Sequence, residues 1–200
     1  MKDILFSGVQ GSMPEKTDEA IAREVQQGAT HAFGLLVERY EAKMRRYAHR
    51  FHHHTEDIED LVQNVFLKAY TNIQGFDPER RFSPWIYRIA HNEFVNALKK
   101  RQRDIVFPFD LDLLFPHPSA PETADGDLNR DSMRAMLDQC LEQLSLKYRE
   151  VLVLYYFEEM DYKEIADVLR IPMSTVGVRL QRGRLQLKHL IEVVDPSYAV

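Results

Sequence analysis

Residues 55–70 read T-E-D-I-E-D-L-V-Q-N-V-F-L-K-A-Y, and the fold class turns on this stretch. Thr55 suits an N-cap. The acids Glu56, Asp57, Glu59 and Asp60 fall in the first turns, where the positive end of a helix dipole favours them. Ile58, Leu61, Val62, Val65, Phe66 and Ala69 keep a 3.6-residue spacing and share one arc, the signature of an amphipathic helix. Asp60, Gln63, Asn64 and Leu67 share the opposite arc. Leu67 is a large apolar side chain ringed by acids and amides, the pattern of a small anchor with a polar rim. The alternative is a single exposed leucine of no consequence.

Outward from that helix, composition excludes several classes. The chain has 200 residues and a hydrophobic content of 44%, ordinary for one globular domain or two small ones. No apolar run approaches the ~18 residues that a membrane-spanning helix needs, the longest being residues 151–157. The N-terminus lacks the basic-then-apolar pattern of a signal peptide. The single cysteine, Cys140, excludes an internal disulfide and a cysteine-based zinc site. The chain reads as cytoplasmic, with no membrane insertion.

The net charge of −5 hides strong segregation. Residues 80–103 carry seven bases and one acid, net +6; residues 104–131 carry one base and seven acids, net −6; residues 170–190 carry five bases and no acid, net +5. Two basic islands flanking an acidic stretch suit a chain that touches nucleic acid at two places. Solvated helix faces are the simpler alternative.

In chain order, residues 1–16 read as a flexible leader. Helices are expected over residues 17–27, with Gly28 to end the first, and over residues 31–51. His52, His53 and His54 invite a metal reading, but successive helical residues point about 100° apart, so adjacent histidines do not share one ion. Residues 74–78 form a turn. Ser83 before Pro84 starts the next helix, a cap followed by proline in the first turn, which runs to about residue 100. Ile86, Ile89, Ala90, Phe94 and Ala97 face inward, and Arg88, Asn92, Asn96 and Lys99 line another face. Arg80, Arg81, Phe82, Trp85 and Tyr87 crowd its start. Bases interleaved with aromatics and amides suit single-stranded nucleic acid, where cations hold phosphates and rings stack on unpaired bases; equally, Trp85 and Tyr87 can be core. Residues 102–127, rich in proline and acid, are an inter-domain linker, although Phe107, Phe109, Leu111 and Phe115 make it apolar for a tether. Beyond it, residues 128–144 and 146–157 are helical, despite the strand-like V-L-V-L-Y-Y-F within the second. A helix over residues 161–169, a short turn and a capped basic helix from Ser174 make a helix-turn-helix pattern. On the last helix Val176, Leu180, Gly183 and Leu187 fall on one side; Ser174, Val178, Gln181, Arg182 and Leu185 fall opposite.

This order of elements resembles the extracytoplasmic-function group of bacterial RNA polymerase sigma factors, within the sigma-70 family. The residues that carry the resemblance are D-I-E-D-L-V-Q-N-V-F-L-K-A-Y over 57–70, F-S-P-W-I-Y-R-I-A-H-N over 82–92, Y-K-E-I-A-D-V-L over 162–169 and S-T-V-G-V-R-L over 174–180. It spans roughly residues 17–192. The resemblance implies an all-α fold of two small helical domains joined by the acidic, proline-containing linker. Residues 17–101 would be region 2, and residues 128–195 region 4, a helix-turn-helix. It implies no catalytic activity, cofactor or metal. Its partners would be promoter DNA, an anti-sigma factor and core RNA polymerase, met through the clamp coiled coil of the beta-prime chain and the beta subunit. Asp57, Asp60, Gln63, Asn64 and Leu67 would sit at the polymerase contact. Phe76, Arg80, Arg81, Phe82, Trp85, Arg88, Asn92, Asn96 and Lys99 would capture and melt the −10 element. Ser174, Thr175, Val178, Arg179, Gln181, Arg182 and Arg184 would read the −35 element. The acidic linker would run into the polymerase channel and, in the free chain, mimic nucleic acid and suppress DNA binding. Asn96, where many relatives carry an acid, and Gly177 and Val178, where they often carry a basic or hydroxyl residue, depart from the pattern.

Two rivals remain at this level. A DNA-binding regulator that does not recruit polymerase would use the last helices but leave residues 55–101 unexplained. A metal hydrolase would be built on His49, His53, Glu56 and Asp57, with no nucleophile–base pair or phosphate loop elsewhere.

Overall fold

The computed structural model describes residues 16–51, 55–104 and 126–198, which form eight α-helices and, among the described residues, no strand. Residues 1–15 of the proposed leader, His52–His54 and most of the linker lie outside the described residues.

The first unit begins with α1 (Asp18–Gln26), whose N-cap Thr17 accepts a hydrogen bond from the Ala20 amide at 3.2 Å. The helix stops because Gly28 takes φ +101°, a left-handed conformation that costs glycine little. A 3-10 turn over Thr30–Ala32 leads into α2 (Phe33–His49). Next comes α3 (Thr55–Asn72), the stretch quoted above, extended by two residues. A second 3-10 turn, Ile73–Gly75, precedes α4 (Phe82–Asp104). The apolar arc of α3 does what its spacing predicts: Ile58, Val62, Val65 and Ala69 pack against Leu36, Tyr40, Met44 and Tyr47 of α2 and Phe82, Ile86, Ala90 and Phe94 of α4. Each fully buried large side chain contributes on the order of 1.5–3 kcal/mol.

The second unit comprises α5 (Gly126–Gln143), α6 (Leu146–Tyr156), α7 (Tyr162–Leu169) and α8 (Met173–Val194). The strand-like run in α6 is helical: Val151, Leu152, Val153 and Leu154 are all buried, on a helix packed by α7 and α8. Gly183 of α8 is a packing glycine. A β-carbon there would lie 3.2 Å from Leu152 and 3.3 Å from Tyr148 of α6, tighter than side chains normally sit.

Three local readings need correction. The fourth helix starts at Phe82, one residue early, and its first amide is held by α1: Phe82 N donates to Glu19 Oε1 at 2.9 Å. Ser83 hydrogen-bonds with the Tyr40 hydroxyl and does not cap. Likewise α8 starts at Met173 after Pro172 with no side-chain cap, so Ser174 is not its N-cap. Helix also continues at both margins of the expected linker, to Asp104 on one side and from Gly126 on the other.

Candidate nucleic-acid interface

Three faces carry the residues singled out in the sequence. On α3, Asp57, Asp60, Gln63 and Asn64 are exposed, and Leu67 stands 61% exposed among them. The helix backing is rigid: Val62, Val65, Phe66 and Ala69 fix it to the core from behind. Arg45 of α2 holds the flank through Glu59 at 3.0 Å.

On α4, the geometry sorts the expected nucleic-acid residues into two sets. Arg80, Arg81, Asn92, Asn96 and Lys99 are exposed, and Arg88 and Trp85 are half-buried. Phe76 and Phe82 are 4% and 0% exposed and belong to the core. Their rings pack edge-on at 5.3 Å, and both support Trp85, at 5.2 Å and 5.4 Å. Of the rings expected to serve as a stacking surface, Phe76, Phe82 or Trp85, the first two lie in the core. A buried ring offers no free face, so Trp85 is the aromatic of the three with exposed surface, and Phe76 and Phe82 set its orientation. Tyr87 is core as well, 5.3 Å from the Tyr47 ring. Gln26 braces the turn before the helix, its Nε2 donating to the carbonyls of Ile73 at 2.7 Å and Phe76 at 2.8 Å.

On α8, Ser174, Val178, Gln181 and Arg182 project outward from a helix anchored by Val176, Leu180 and Gly183. Thr175 is half-buried. The two other expected contacts are engaged elsewhere. Arg179 Nη1 donates to Glu150 Oε1 of α6 at 2.7 Å, and Arg184 hydrogen-bonds with Tyr156. The preceding helix is held by a capping box: Glu164 N donates to Asp161 Oδ1 at 2.8 Å, and Asp161 N donates to Glu164 Oε2 at 3.0 Å. Arg170 ends α7 in the left-handed region at φ 53°, which turns the chain into α8. An apolar groove of about 460 Å³ opens between α5, α6 and α8, lined by Leu137, Leu141, Leu152, Phe157, Leu187 and Ile191, with Arg184 and Lys188 on its rim.

Sequence reading missed the contact between the two units. Helix α4 packs along α7. Arg80 Nη2 lies 2.5 Å from Asp167 Oδ2, Arg81 pairs with Glu164, and the Tyr87 hydroxyl donates to Glu158. Arg50 of the first unit pairs with Asp138 and stacks 4.0 Å over the Phe157 ring. A polar thread crosses the buried centre. The Tyr47 hydroxyl lies 3.0 Å from His91 Nδ1, His91 Nε2 lies 3.6 Å from Glu150 Oε2, and Glu150 reaches Arg179. Burial dominates the titration of these groups. It pushes the His91 imidazole down to about 4, helped by Lys99, and pushes the Glu150 and Glu158 carboxyls up, against the pull of Arg179 on Glu150 and of Tyr87 on Glu158. A neutral imidazole accepting from Tyr47 at Nδ1 keeps its proton on Nε2, facing Glu150. Between the units lies a cavity of about 360 Å³ that brings Arg80, Arg81, Trp85 and Arg88 together opposite Lys163 and Asp167. No composition or spacing signal marks Glu158 or Glu150 as interface residues.

Among the described residues no group of three metal-ligating side chains converges, and no helix is long and apolar enough to cross a membrane. Of the histidines of the metal readings, His49 ends α2, and His52, His53 and His54 fall outside the described residues.

Comparison with known proteins agrees with the architecture. Residues 36–104 match sigma-70 region 2, and residues 134–187 match sigma-70 region 4. The chain is 33% identical to the ECF RNA polymerase sigma factor SigW of Bacillus subtilis over 174 residues, covering 83% of this chain and 92% of the relative. It is also 33% identical to the RNA polymerase sigma-H factor of Pseudomonas aeruginosa, covering 86% of this chain and 92% of the relative. Among solved structures, CnrH in complex with the cytosolic domain of CnrY superposes with a TM-score of 0.68 at 25% identity, over 89% of this chain and 99% of that one. The sigma factor RpoE of Bartonella quintana, solved with the anti-sigma factor NepR, shares the fold with a TM-score of 0.61 at 24% identity, over 80% of this chain and 97% of that one. The chain belongs to the sigma-70 family of RNA polymerase sigma factors, within its extracytoplasmic-function group. Its function is accordingly promoter-specific transcription initiation through core RNA polymerase.

Proposed function

We propose that the three faces divide the work of initiation. The α3 face, with Leu67 as its apolar anchor and Asp57, Asp60, Gln63 and Asn64 as its rim, docks on the beta-prime clamp coiled coil. The α4 face captures the melted −10 strand: Arg80, Arg81, Arg88 and Lys99 hold phosphates, Trp85 stacks a base, and Asn92 and Asn96 hydrogen-bond base edges. The α8 face reads the −35 element in the major groove through Ser174, Val178, Gln181 and Arg182, with Arg184 on the flank. Unstacking a base costs on the order of a few kcal/mol, and stacking on Trp85, at about 1–3 kcal/mol, offsets much of it. The chain itself carries out no catalysis and needs no cofactor. It acts in the cytoplasm, where the polymerase is. An anti-sigma factor would hold it inactive by laying an apolar helix in the groove between α5, α6 and α8, beside Arg184 and Lys188.

The observation that carries the reading is Leu67, 61% exposed among polar side chains on a helix whose opposite arc, Ile58, Val62, Val65 and Phe66, is buried. The test is run-off transcription with core polymerase across a promoter library. Wild type should give promoter-dependent transcripts. Leu67→Ala should weaken core binding about tenfold or more, as expected for an apolar anchor at an interface centre, with an unchanged unfolding midpoint. Undiminished core binding by Leu67→Ala would remove this face from the contact. A total lack of promoter-dependent transcripts would remove the assignment of all three faces.

A further inference from the structure

The first turns of α8 are poor in charge for a helix that reads DNA. From Met173 to Gln181 its one base is Arg179, which is bound to Glu150 of α6 at 2.7 Å. Ser174, Val178 and Gln181 are exposed on this stretch, Val178 at 46%. Its direction is fixed from behind. Val176 and Leu180 are buried, and Val178 stands two residues, about 200° of helix, from each. The residue before it is Gly177. Glycine is disfavoured inside a helix, and the packing does not demand it here. Its φ is not left-handed, and a β-carbon there would lie 3.5 Å from Tyr162 Cε2, an ordinary contact. Gly183 is the contrast, because a β-carbon there would crowd Leu152 and Tyr148.

A lone exposed valine is ordinary on most surfaces. On the groove-facing side of a recognition helix it has one specific complement. Valine offers no donor or acceptor to a base edge, and the thymine C5-methyl is the apolar group that the four bases present in the major groove. We propose that Val178 selects thymine in the −35 element, and that Gly177 lets the helix backbone lie close enough for the two apolar groups to touch. The proposal rests on the assignment of the α8 face to the −35 element and names the base that this part of the face takes. The wrong bases are rejected as well. Cytosine or adenine would press an amino group, and guanine a carbonyl, against an apolar side chain and leave it unpaired. Side chains three and four residues on are helix neighbours, and Gln181 and Arg182 hold those places beside Val178. Gln181 suits adenine through N6 and N7, and Arg182 suits guanine through O6 and N7. The selected thymine therefore lies close to those purines along the groove.

The experiment removes the methyl group alone. Deoxyuridine replaces thymidine, one position at a time on both strands, in the −35 element of a promoter found by run-off transcription. Holoenzyme assembled from the full-length chain and core polymerase is titrated onto each duplex. Uracil keeps every hydrogen-bonding group of thymine, so a change in affinity reports contact with the methyl. Wild type should bind about fourfold weaker with uracil at the selected position, the value of one buried methyl group. Val178→Asn, close to valine in helix propensity, should bind the thymine and uracil duplexes alike and keep the wild-type thermal midpoint. Gly177→Ala should pull two readouts apart. The thermal midpoint of the free chain should rise, since alanine favours the helix, while promoter binding weakens about tenfold, the scale of one mismatched base pair. A variant that only disturbed the fold would lower both. A −35 element without thymine, uracil tolerated at every position by wild type, or a uracil penalty undiminished in Val178→Asn overturns the thymine assignment and leaves α8 on the −35 element. Undiminished promoter binding by Gly177→Ala overturns the close approach. Indifference of wild type to replacement of the whole −35 element removes the assignment of the α8 face instead.

Discussion

His91 shows how one residue couples burial to pH. It faces Tyr47 from α2 and Glu150 from α6, with Lys99 on its own helix and Arg179 of α8 behind Glu150. Burial pushes its imidazole from 6.5 down to about 4, so the folded protein keeps it neutral where the unfolded chain protonates it. Its contribution to stability is present above 6.5 and lost as pH falls towards 4. A drop of that size is worth at most about 3 kcal/mol. Glu150 works in the opposite sense. Its carboxyl is raised by burial, so acidification from just above its ordinary value of 4.5 protonates the folded form first and offsets part of the loss. His91→Gln removes the titrating group and keeps a hydrogen-bonding side chain of similar reach. Urea unfolding of both proteins near neutrality and at about pH 5 should show wild type losing more stability than the variant, by about 1–2 kcal/mol. Parallel losses would mean that His91 is protonated in the fold.

At the scale of elements, the short α7 depends on its cap more than the longer helices do, since few internal hydrogen bonds hold a helix of two turns. Asp161→Ala removes the acceptor for the Glu164 amide and should cost about 1 kcal/mol of the second unit's stability, read as a lowered thermal midpoint. Glu164→Gln should cost far less, because the box accepts glutamine. A midpoint unmoved by Asp161→Ala would show that packing on α4 and α8, and not the cap, holds α7. These elements are the part that the sequence makes legible. The arcs of α3 and the outward set on α8 follow from periodicity, and Gly28 and Gly183 from local geometry. The misreadings share one cause. Phe76 and Phe82 look like stacking aromatics until α1 and α2 cover them, and Ser83 looks like a cap until Glu19, distant in sequence, takes the amide it would have held. Glu150 sits beside Arg149 at the edge of the apolar run of α6 and Glu158 in the loop after it, and no local pattern says which surface their charge will face. Long-range packing decided each of these, and single-residue spacing carries no trace of it.

Across the whole molecule, the interface between the units is mixed in strength. Exposed ion pairs such as Arg80–Asp167 are worth about 0–1 kcal/mol and weaken with salt. The Tyr87–Glu158 hydrogen bond is different, because Glu158 is a half-buried carboxylate that burial pushes towards the neutral form, and the donated proton counters that push. Lys43, Arg46 and Arg50 assist from α2 and the turn that follows it. Tyr87→Phe keeps the ring packed against Tyr47 and deletes only the hydroxyl, so the first unit should hold its own stability. Glu158 would lose its donor, a loss of about 1–3 kcal/mol charged to the interface alone. Hydrogen exchange separates the two effects. Amides of α7 and of the loop before it should exchange roughly tenfold or more faster in Tyr87→Phe, since each 1.4 kcal/mol of opening energy is a factor of ten. Amides of α2 and α3 should be unchanged. Raising salt should speed exchange at α7 less than the substitution does, because screening acts on the rim and spares the centre. Equal protection of α7 in wild type and Tyr87→Phe would place the strength of the interface in the rim pairs after all.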